Sequence, residues 1–263
     1  MQTEIHASSF SVWHPCAGLV AEENAESLVV ADSWLLADGK VRAYEMHWAR
    51  FTRAVGEFGV DPGAVRPFRA EVTETLPRTG TWFPRLELLA GTQPRLALRV
   101  RPAPPLRERA RVRVADVPDP RTRPDLKGPD FPLLEPLRRR AQEQGADEAV
   151  LLDEHGRALE GAFSSLLWWQ DDVLCTPAED GRILPGVTRR LLLDRAERLG
   201  VTVRHTRATP AELAGREVWI TSALHGIRAV TDWGPGFPAP PAPTRVDEWR
   251  AHLTDCLAPL PRH

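Results

Sequence analysis

Lysine is the scarce cation of this chain: of 34 basic residues among 263, only Lys40 and Lys127 are lysine and the rest are arginine. Arginine serves as well on a solvated surface, and only lysine supplies an amine that can lose its proton and attack a carbonyl. Lys40 follows Ala37-Asp38-Gly39 between two β-rich runs, where an exposed turn lysine is the ordinary reading. Lys127, in RPDLKGPDFP, is the candidate nucleophile, with a plain loop lysine as the alternative. Three further stretches carry chemistry. Arg182-Ile-Leu-Pro185-Gly186-Val187-Thr188 sets a tight turn before a helix whose first N–H groups, with the Thr188 hydroxyl, suit a phosphate; an ordinary capped surface helix is the other reading. Glu160 precedes an apolar strand and either pairs with a protonated ring nitrogen or faces water at an edge. Ile220-Thr221-Ser222-Ala223-Leu224-His225-Gly226 ends a strand in small hydroxyl residues and a glycine turn, fit for a phosphate or carboxylate or simply a turn.

A reactive amine, a carboxylate for a pyridinium nitrogen and two phosphate-binding ends are together what one cofactor requires, pyridoxal 5′-phosphate. Arginines of the first half, Arg85 in WFPRLEL and then Arg99 and Arg101, are candidates to bind substrate carboxylates bidentately, or are outward-facing strand arginines.

The elements that must position these groups differ between the two halves. Residues 25–36 and 41–44 read as strands around the Asp-Gly turn, and residues 45–58 have apolar side chains at helical spacing. Asp61-Pro62-Gly63 ends that region; strands are predicted over 82–89 and 95–100, closed by Pro102, Pro104 and Pro105. The stretch ADVPDPRTRP, with three prolines and alternating charge, reads as a linker. Beyond it helices are predicted over 134–144, 188–199 and 245–257, and strands over 148–152, 165–169, 201–205 and 217–221. The expectation is an α+β chain of two domains, a smaller N-terminal one over 1–115 and a larger cofactor-binding one over 125–263, joined by residues 116–124.

Composition narrows the class. A net charge of −2 with both signs interspersed gives no footprint for nucleic acid, and no run of apolar residues is long enough to cross a bilayer. Three widely spaced cysteines, Cys16, Cys175 and Cys256, fit reduced thiols better than disulfides or a metal site, and the N-terminus has no secretory pattern. A cytoplasmic protein without a metal, working on a small molecule, is the expectation.

The order K…DEA-LLD-G…E-x4-SLLWW…L-C-TP…LPGVTR…ITSALHGIRAV resembles the class IV aminotransferases, the fold-type-IV pyridoxal-phosphate enzymes, which include branched-chain and D-amino-acid aminotransferases and 4-amino-4-deoxychorismate lyase. The resemblance spans residues 126–230 and reaches into the first half through HWARF, similar to the family's H-x-x-R-L helix motif. It implies a D-amino-acid aminotransferase-like fold, usually a homodimer, with Lys127 bonded to the cofactor and shuttling the proton. Glu160 would hold the ring nitrogen protonated. Arg50, Val187, Thr188, Ser222 and Ala223 would hold the phosphate, and the strand end through Leu224 would approach the substrate carboxylate.

The chain departs from the family pattern at several points. Its strand end reads SAL, closer to the NAL of lyase members than to the Thr of many transaminases; Asp130 and Phe131 follow the lysine; Ser165 stands where Asn is usual; and Ala31-Asp-Ser-Trp-Leu-Leu36 replaces G-x-F-x-T. The leading expectation is therefore a lyase-like enzyme acting on an amino-acid-like substrate with carboxylates. An aminotransferase is the alternative, and a cofactor-binding relative that has lost catalysis is the third reading.

Overall fold

The computed structural model describes residues 8–23 and 26–261. They form two compact α+β units. The first takes the described residues up to Leu106, the short segment Leu126–Pro129 and the C-terminal segment from Cys256; the second takes Arg107–Asp125 and Asp130–Asp255.

The first unit opens with β1 (Ser9–His14), β2 (Gly18–Ala21), β3 (Leu28–Ser33), β4 (Leu36–Ala37) and β5 (Lys40–Arg42). Helices α1 (Tyr44–Gly56) and α2 (Pro62–Thr75) follow, then β6 (Thr81–Trp82), β7 (Arg85–Leu89) and β8 (Arg95–Val100). An antiparallel sheet in the order β2-β1-β8-β7-β3 buries Leu86, Leu88, Leu96 and Leu98 against Trp48, Phe51 and Val55 of α1 and Phe68 and Val72 of α2. Alternation then sends Arg85, Glu87, Ala97 and Arg99 to the opposite face, where Arg85 pairs with Arg99 and Glu87 with Ala97. The expected hairpin is present: Leu36 pairs with Val41 and Ala37 with Lys40, with Asp38 and Gly39 both at positive φ. Lys40 is exposed there. Ala25, where the first predicted run begins, lies outside the described residues.

The second unit holds β9 (Arg109–Val114), α3 (Phe131–Glu143), β10 (Glu148–Leu152), β11 (Ala158–Gly161), β12 (Ser165–Gln170) and β13 (Val173–Thr176). It continues with α4 (Val187–Arg198), β14 (Val203–His205), α5 (Pro210–Ala214), β15 (Val218–Ser222), β16 (Gly226–Asp232) and α6 (Val246–Asp255). Its mixed sheet runs β11-β10-β9-β16-β15-β12-β13-β14. The strand SLLWW is buried on both faces: Leu166 and Trp168 enter one core, and Leu167 and Trp169 enter another with Leu192 of α4 and Trp249 of α6. The chain closes with β17 (Leu257–Pro259), which pairs with β5 and gives the first unit a second sheet, β17-β5-β4-β6.

Three sequence expectations need correction. Asp61-Pro62-Gly63 begins a helix: Asp61 caps α2 by accepting from Gly63 N at 2.9 Å, and Pro62 occupies the first turn, where no N–H is needed. The N-terminal stretch of the first unit stops at Leu106 and not at residue 115, because β9 pairs in parallel with β10 and β16 and so belongs to the second unit's sheet. The expected linker over residues 116–124 is fastened to the second unit, since Asp119 N donates to Leu152 O of β10 at 3.0 Å.

Candidate functional site

Lys127 sits in a four-residue excursion that belongs to the first unit. Leu126 is buried in that unit's core, and Ala31 N of β3 donates to Lys127 O at 2.7 Å. Gly128 has φ +128°, and a Cβ there would lie 2.8 Å from Ala31 N and 3.0 Å from Val30 C. The residue after the lysine therefore has to be glycine for the loop to lie on β3. Burial pushes the Lys127 amine down to about 7; Asp32 opposes this, and Arg50, Arg101 and Arg85 reinforce it. A large fraction is thus neutral near pH 7, the form that attacks a carbonyl.

Asp32 on β3 is the anion in that group, and it is fully buried. Its Oδ1 meets His47 Nδ1 at 2.7 Å and accepts from Ser33 N at 2.8 Å, while Arg50 donates from Nε to Oδ2 at 2.8 Å and from Nη2 to Oδ1 at 3.0 Å. Burial works against its charge, but Arg50 and His47 outweigh it and hold the carboxyl well below the usual carboxylate range. His47 and Arg50 lie one turn apart on α1, so the HWARF spacing delivers both to one carboxylate. Arg50, expected at a phosphate, is thereby held in a bidentate pair with Asp32.

Two of the predicted substrate arginines, Arg85 and Arg99, share one face of the first unit's large sheet, and Arg101 follows the end of β8. Arg85 Nε and Arg99 Nε both donate to Glu87 Oε1, at 2.9 and 2.7 Å. Arg99 also lies 4.5 Å over the Phe10 ring; Arg101 donates to Phe83 O and stacks 4.8 Å over that ring. Glu87 is fully buried, and its Oε2 has no hydrogen-bond partner. Two guanidiniums on one carboxylate leave a net positive charge, suited to an anion.

In the second unit Glu160 lies on the edge strand β11 yet is only 3% exposed, which removes the water-facing alternative. Its Oε1 accepts from Arg121 Nη1 at 2.5 Å and from Leu184 N at 2.9 Å. Burial raises its carboxyl, and Arg121 and the Leu184 N–H oppose that rise. The LPGVTR turn is placed by the neighbouring strand: a Cβ at Gly186 would fall 2.5 Å from Ser165 Oγ on β12, so a larger residue there must displace that hydroxyl. Helix α4 begins at Val187 with no side-chain cap, leaving the Val187 and Thr188 N–H groups without an acceptor in the helix. Both residues are buried. Arg189 anchors this start, fully buried and donating to Thr176 Oγ1 at 2.7 Å and Pro177 O at 2.8 Å, with an ion pair to Glu179.

Ser165 pairs with Thr221 across β12 and β15, which brings the strand end to the α4 turn. Ser222 Oγ accepts from His225 N at 3.2 Å, and Ala223 and Leu224 occupy the tight turn into β16. Thr221 Oγ1 is buried and has no partner. Uncapped helix N–H groups, an unpaired buried hydroxyl and a carboxylate whose second oxygen accepts no hydrogen bond from the described residues are the donor and acceptor set of a phosphorylated pyridinium. The residues present fit pyridoxal 5′-phosphate.

Asp32, Glu87, Arg121 and Arg189 were not picked out from sequence. Asp32 had a signal, since it lies in the run that departs from the family pattern; the arginines had none in a chain where arginine is the default cation. Among the described residues no group of His, Cys, Asp and Glu is arranged to hold a metal, and no helix is long and apolar enough to cross a membrane.

The sequence pattern described as Amino-transferase class IV matches residues 29–233. The chain belongs to that family. Among curated relatives, the family member named aminodeoxychorismate lyase from Bacillus subtilis (strain 168) is 33% identical over 78 residues, 29% of this chain and 27% of that protein. The branched-chain-amino-acid aminotransferase of Escherichia coli (strain K12) is 39% identical over 64 residues, 24% of this chain and 21% of that protein. These matches span about a quarter of each relative's length. A solved structure described as a hypothetical aminotransferase from Mycobacterium tuberculosis in its PLP-bound form aligns with TM-score 0.78 at 18% identity, covering 95% of this chain and 98% of that one. It shows that the class IV fold extends over nearly the whole chain.

Proposed function

We propose that the protein is a pyridoxal-phosphate enzyme that acts on a small amino-acid-like substrate bearing carboxylates, most like 4-amino-4-deoxychorismate lyase. The observation that carries this reading is Lys127, a partly buried amine lowered to about 7 within a group of arginines. When bound, the cofactor supplies an electron sink for the pair left behind as a proton departs from the amine-bearing carbon. Lys127 would hold the cofactor covalently at rest and, once freed by the substrate amine, accept that proton. Glu160 would keep the ring nitrogen protonated through its uncommitted oxygen, and the Val187 and Thr188 N–H groups and the strand end at Ser222-Ala223 would hold the phosphate. Arg50 would add positive charge to the phosphate site while Asp32 fixes its orientation. Arg85, Arg99 and Arg101, with Leu224 at the turn, would receive substrate carboxylates.

The lyase assignment rests on the SAL strand end and on the resemblance to the Bacillus subtilis lyase. In that reaction aminodeoxychorismate is divided into 4-aminobenzoate and pyruvate with no second substrate. The aminotransferase reading is favoured by the Escherichia coli match. Incubation of the cofactor-loaded protein with each substrate set separates the two: 4-aminobenzoate and pyruvate from aminodeoxychorismate support the lyase, whereas glutamate formed from an amino donor and 2-oxoglutarate supports transamination. A purified protein that gains no visible absorbance band with pyridoxal phosphate, or whose band persists in Lys127→Ala, would overturn the cofactor reading itself.

A further inference from the structure

Glu160 does not stand alone on its edge strand. Arg121, only 5% exposed at its side chain, donates from Nη1 to Glu160 Oε1. The rest of its guanidinium is taken by Asp119, from Nε to Oδ1 at 2.9 Å and Oδ2 at 3.1 Å and from Nη2 to Oδ2 at 2.8 Å, and by Arg182 O at 3.2 Å. Asp119 is itself 10% exposed, and its Oδ1 also accepts from Arg121 N at 3.1 Å. The result is a row of three charges, the buried Glu160 and the largely covered Arg121 and Asp119, closed at the far end by the Leu184 N–H.

We propose that Arg121, held by Asp119, is the positioning residue that makes Glu160 a selective partner for a cationic ring nitrogen. This rests on the cofactor reading above. Two physical steps support it. Arg121 and Leu184 N both bind Oε1, so the carboxylate is pinned in one rotamer and only Oε2 is left to accept a further donor. The charges also decide the outcome: a lone Arg121–Glu160 pair would sum to zero and attract no cation, but Asp119 neutralises the guanidinium. The row therefore keeps one net negative charge in a buried place. A further cation that feels Glu160, Arg189, is paired with Glu179 and leaves that balance unchanged. Burial of an unpartnered carboxylate favours its protonated form, which offers a ring N–H no full negative charge; Arg121 opposes that shift, and Asp119 keeps the guanidinium from cancelling the charge of the row.

A double-mutant cycle tests it, with pyridoxal 5′-phosphate as the probe and affinity read by absorbance titration of the cofactor-free protein. Arg121→Gln should weaken binding about tenfold in the wild-type background, yet change it less than twofold in Glu160→Gln, because Arg121 acts only through that carboxylate. Arg121→Lys, which keeps the charge but not the fork, should recover part of the loss, and Asp119→Asn should weaken binding in the same sense. Thermal unfolding of each variant confirms a folded protein; if Arg121→Gln does not fold, Arg121→Lys and Asp119→Asn carry the cycle. Equal losses in both backgrounds, or unchanged affinity in folded variants, would overturn the role of Arg121 while leaving the cofactor reading intact. A wild type that does not bind the probe would overturn both.

Discussion

At the scale of single residues, the distribution of charge around Lys127 is the feature with the most consequences. Its amine titrates near 7 in the folded protein against an ordinary 10.5. Below about pH 7 the amine is protonated in folded and unfolded chains alike, so it adds no pH dependence. Between about pH 7 and 10.5 the unfolded chain holds one proton more, and the free energy of unfolding must rise with pH. Urea unfolding of the cofactor-free protein should show that rise, and Lys127→Met should lose it; identical slopes in both would mean that the amine is not perturbed. Asp32 is the second such residue. Removing it takes away the carboxylate that the buried His47 and the mostly covered Arg50 both bind. Asp32→Ala should therefore destabilise by about 3–5 kcal/mol, as for a broken buried ion pair, measured by the same unfolding. It should also lower the Lys127 amine further, because Asp32 is what supports its protonated form.

At the scale of elements, two glycines fix where the chemistry stands. A Cβ at Gly128 meets the β3 backbone, which cannot yield, and the φ of +128° adds strain. Gly128→Ala should cost upwards of about 2 kcal/mol and reduce cofactor attachment to Lys127, read as loss of the visible band at fixed protein concentration. Gly186 is different, because the obstacle is one hydroxyl, Ser165 Oγ at 2.5 Å. Gly186→Ala should destabilise by about 1–3 kcal/mol, and Ser165→Ala in the same chain should restore most of it; failure of that rescue would mean that another contact holds the turn. The sequence carried this neighbourhood only in part. Pro185-Gly186 announced a turn and Thr188 a helix start, because capping and turn chemistry act over a few residues. That Ser165 is the reason for the glycine, and that Ala31 receives the loop of Lys127, depends on pairings between residues 21 and 96 positions apart, which local periodicity does not record. The same limit hid Asp119-Arg121-Glu160. By composition Arg121 belongs to a proline-rich linker, whereas its guanidinium crosses to a carboxylate 39 residues away.

At the scale of the whole molecule, the order of the chain and the order of its units diverge. A boundary drawn at residue 115 follows a change of composition, yet the first unit is completed by two later segments, Leu126–Pro129 and the stretch beginning at Cys256. Each brings a specific part. Leu126 and Leu260 are buried in the first unit's core, and β17 supplies an outer strand through Leu257↔Arg42, Ala258↔Val41 and Pro259↔Lys40. Arg78 adds donation to Leu260 O at 3.3 Å and to Thr73 O at 2.9 Å, tying that strand to the end of α2. A fragment of residues 1–115 lacks these apolar side chains and carries β9 away from both of its sheet partners. It should fail to show a cooperative unfolding transition. Shortening the full chain by residues 256–263 should instead weaken the first unit selectively, since no residue of that segment belongs to the second. Hydrogen exchange distinguishes the cases: amides of β4, β5 and α2 should lose protection in the shortened chain while those of β12 and β15 keep theirs. Equal loss in both sets would show that the two units unfold as one, and unchanged protection would show that β17 contributes pairing without stability.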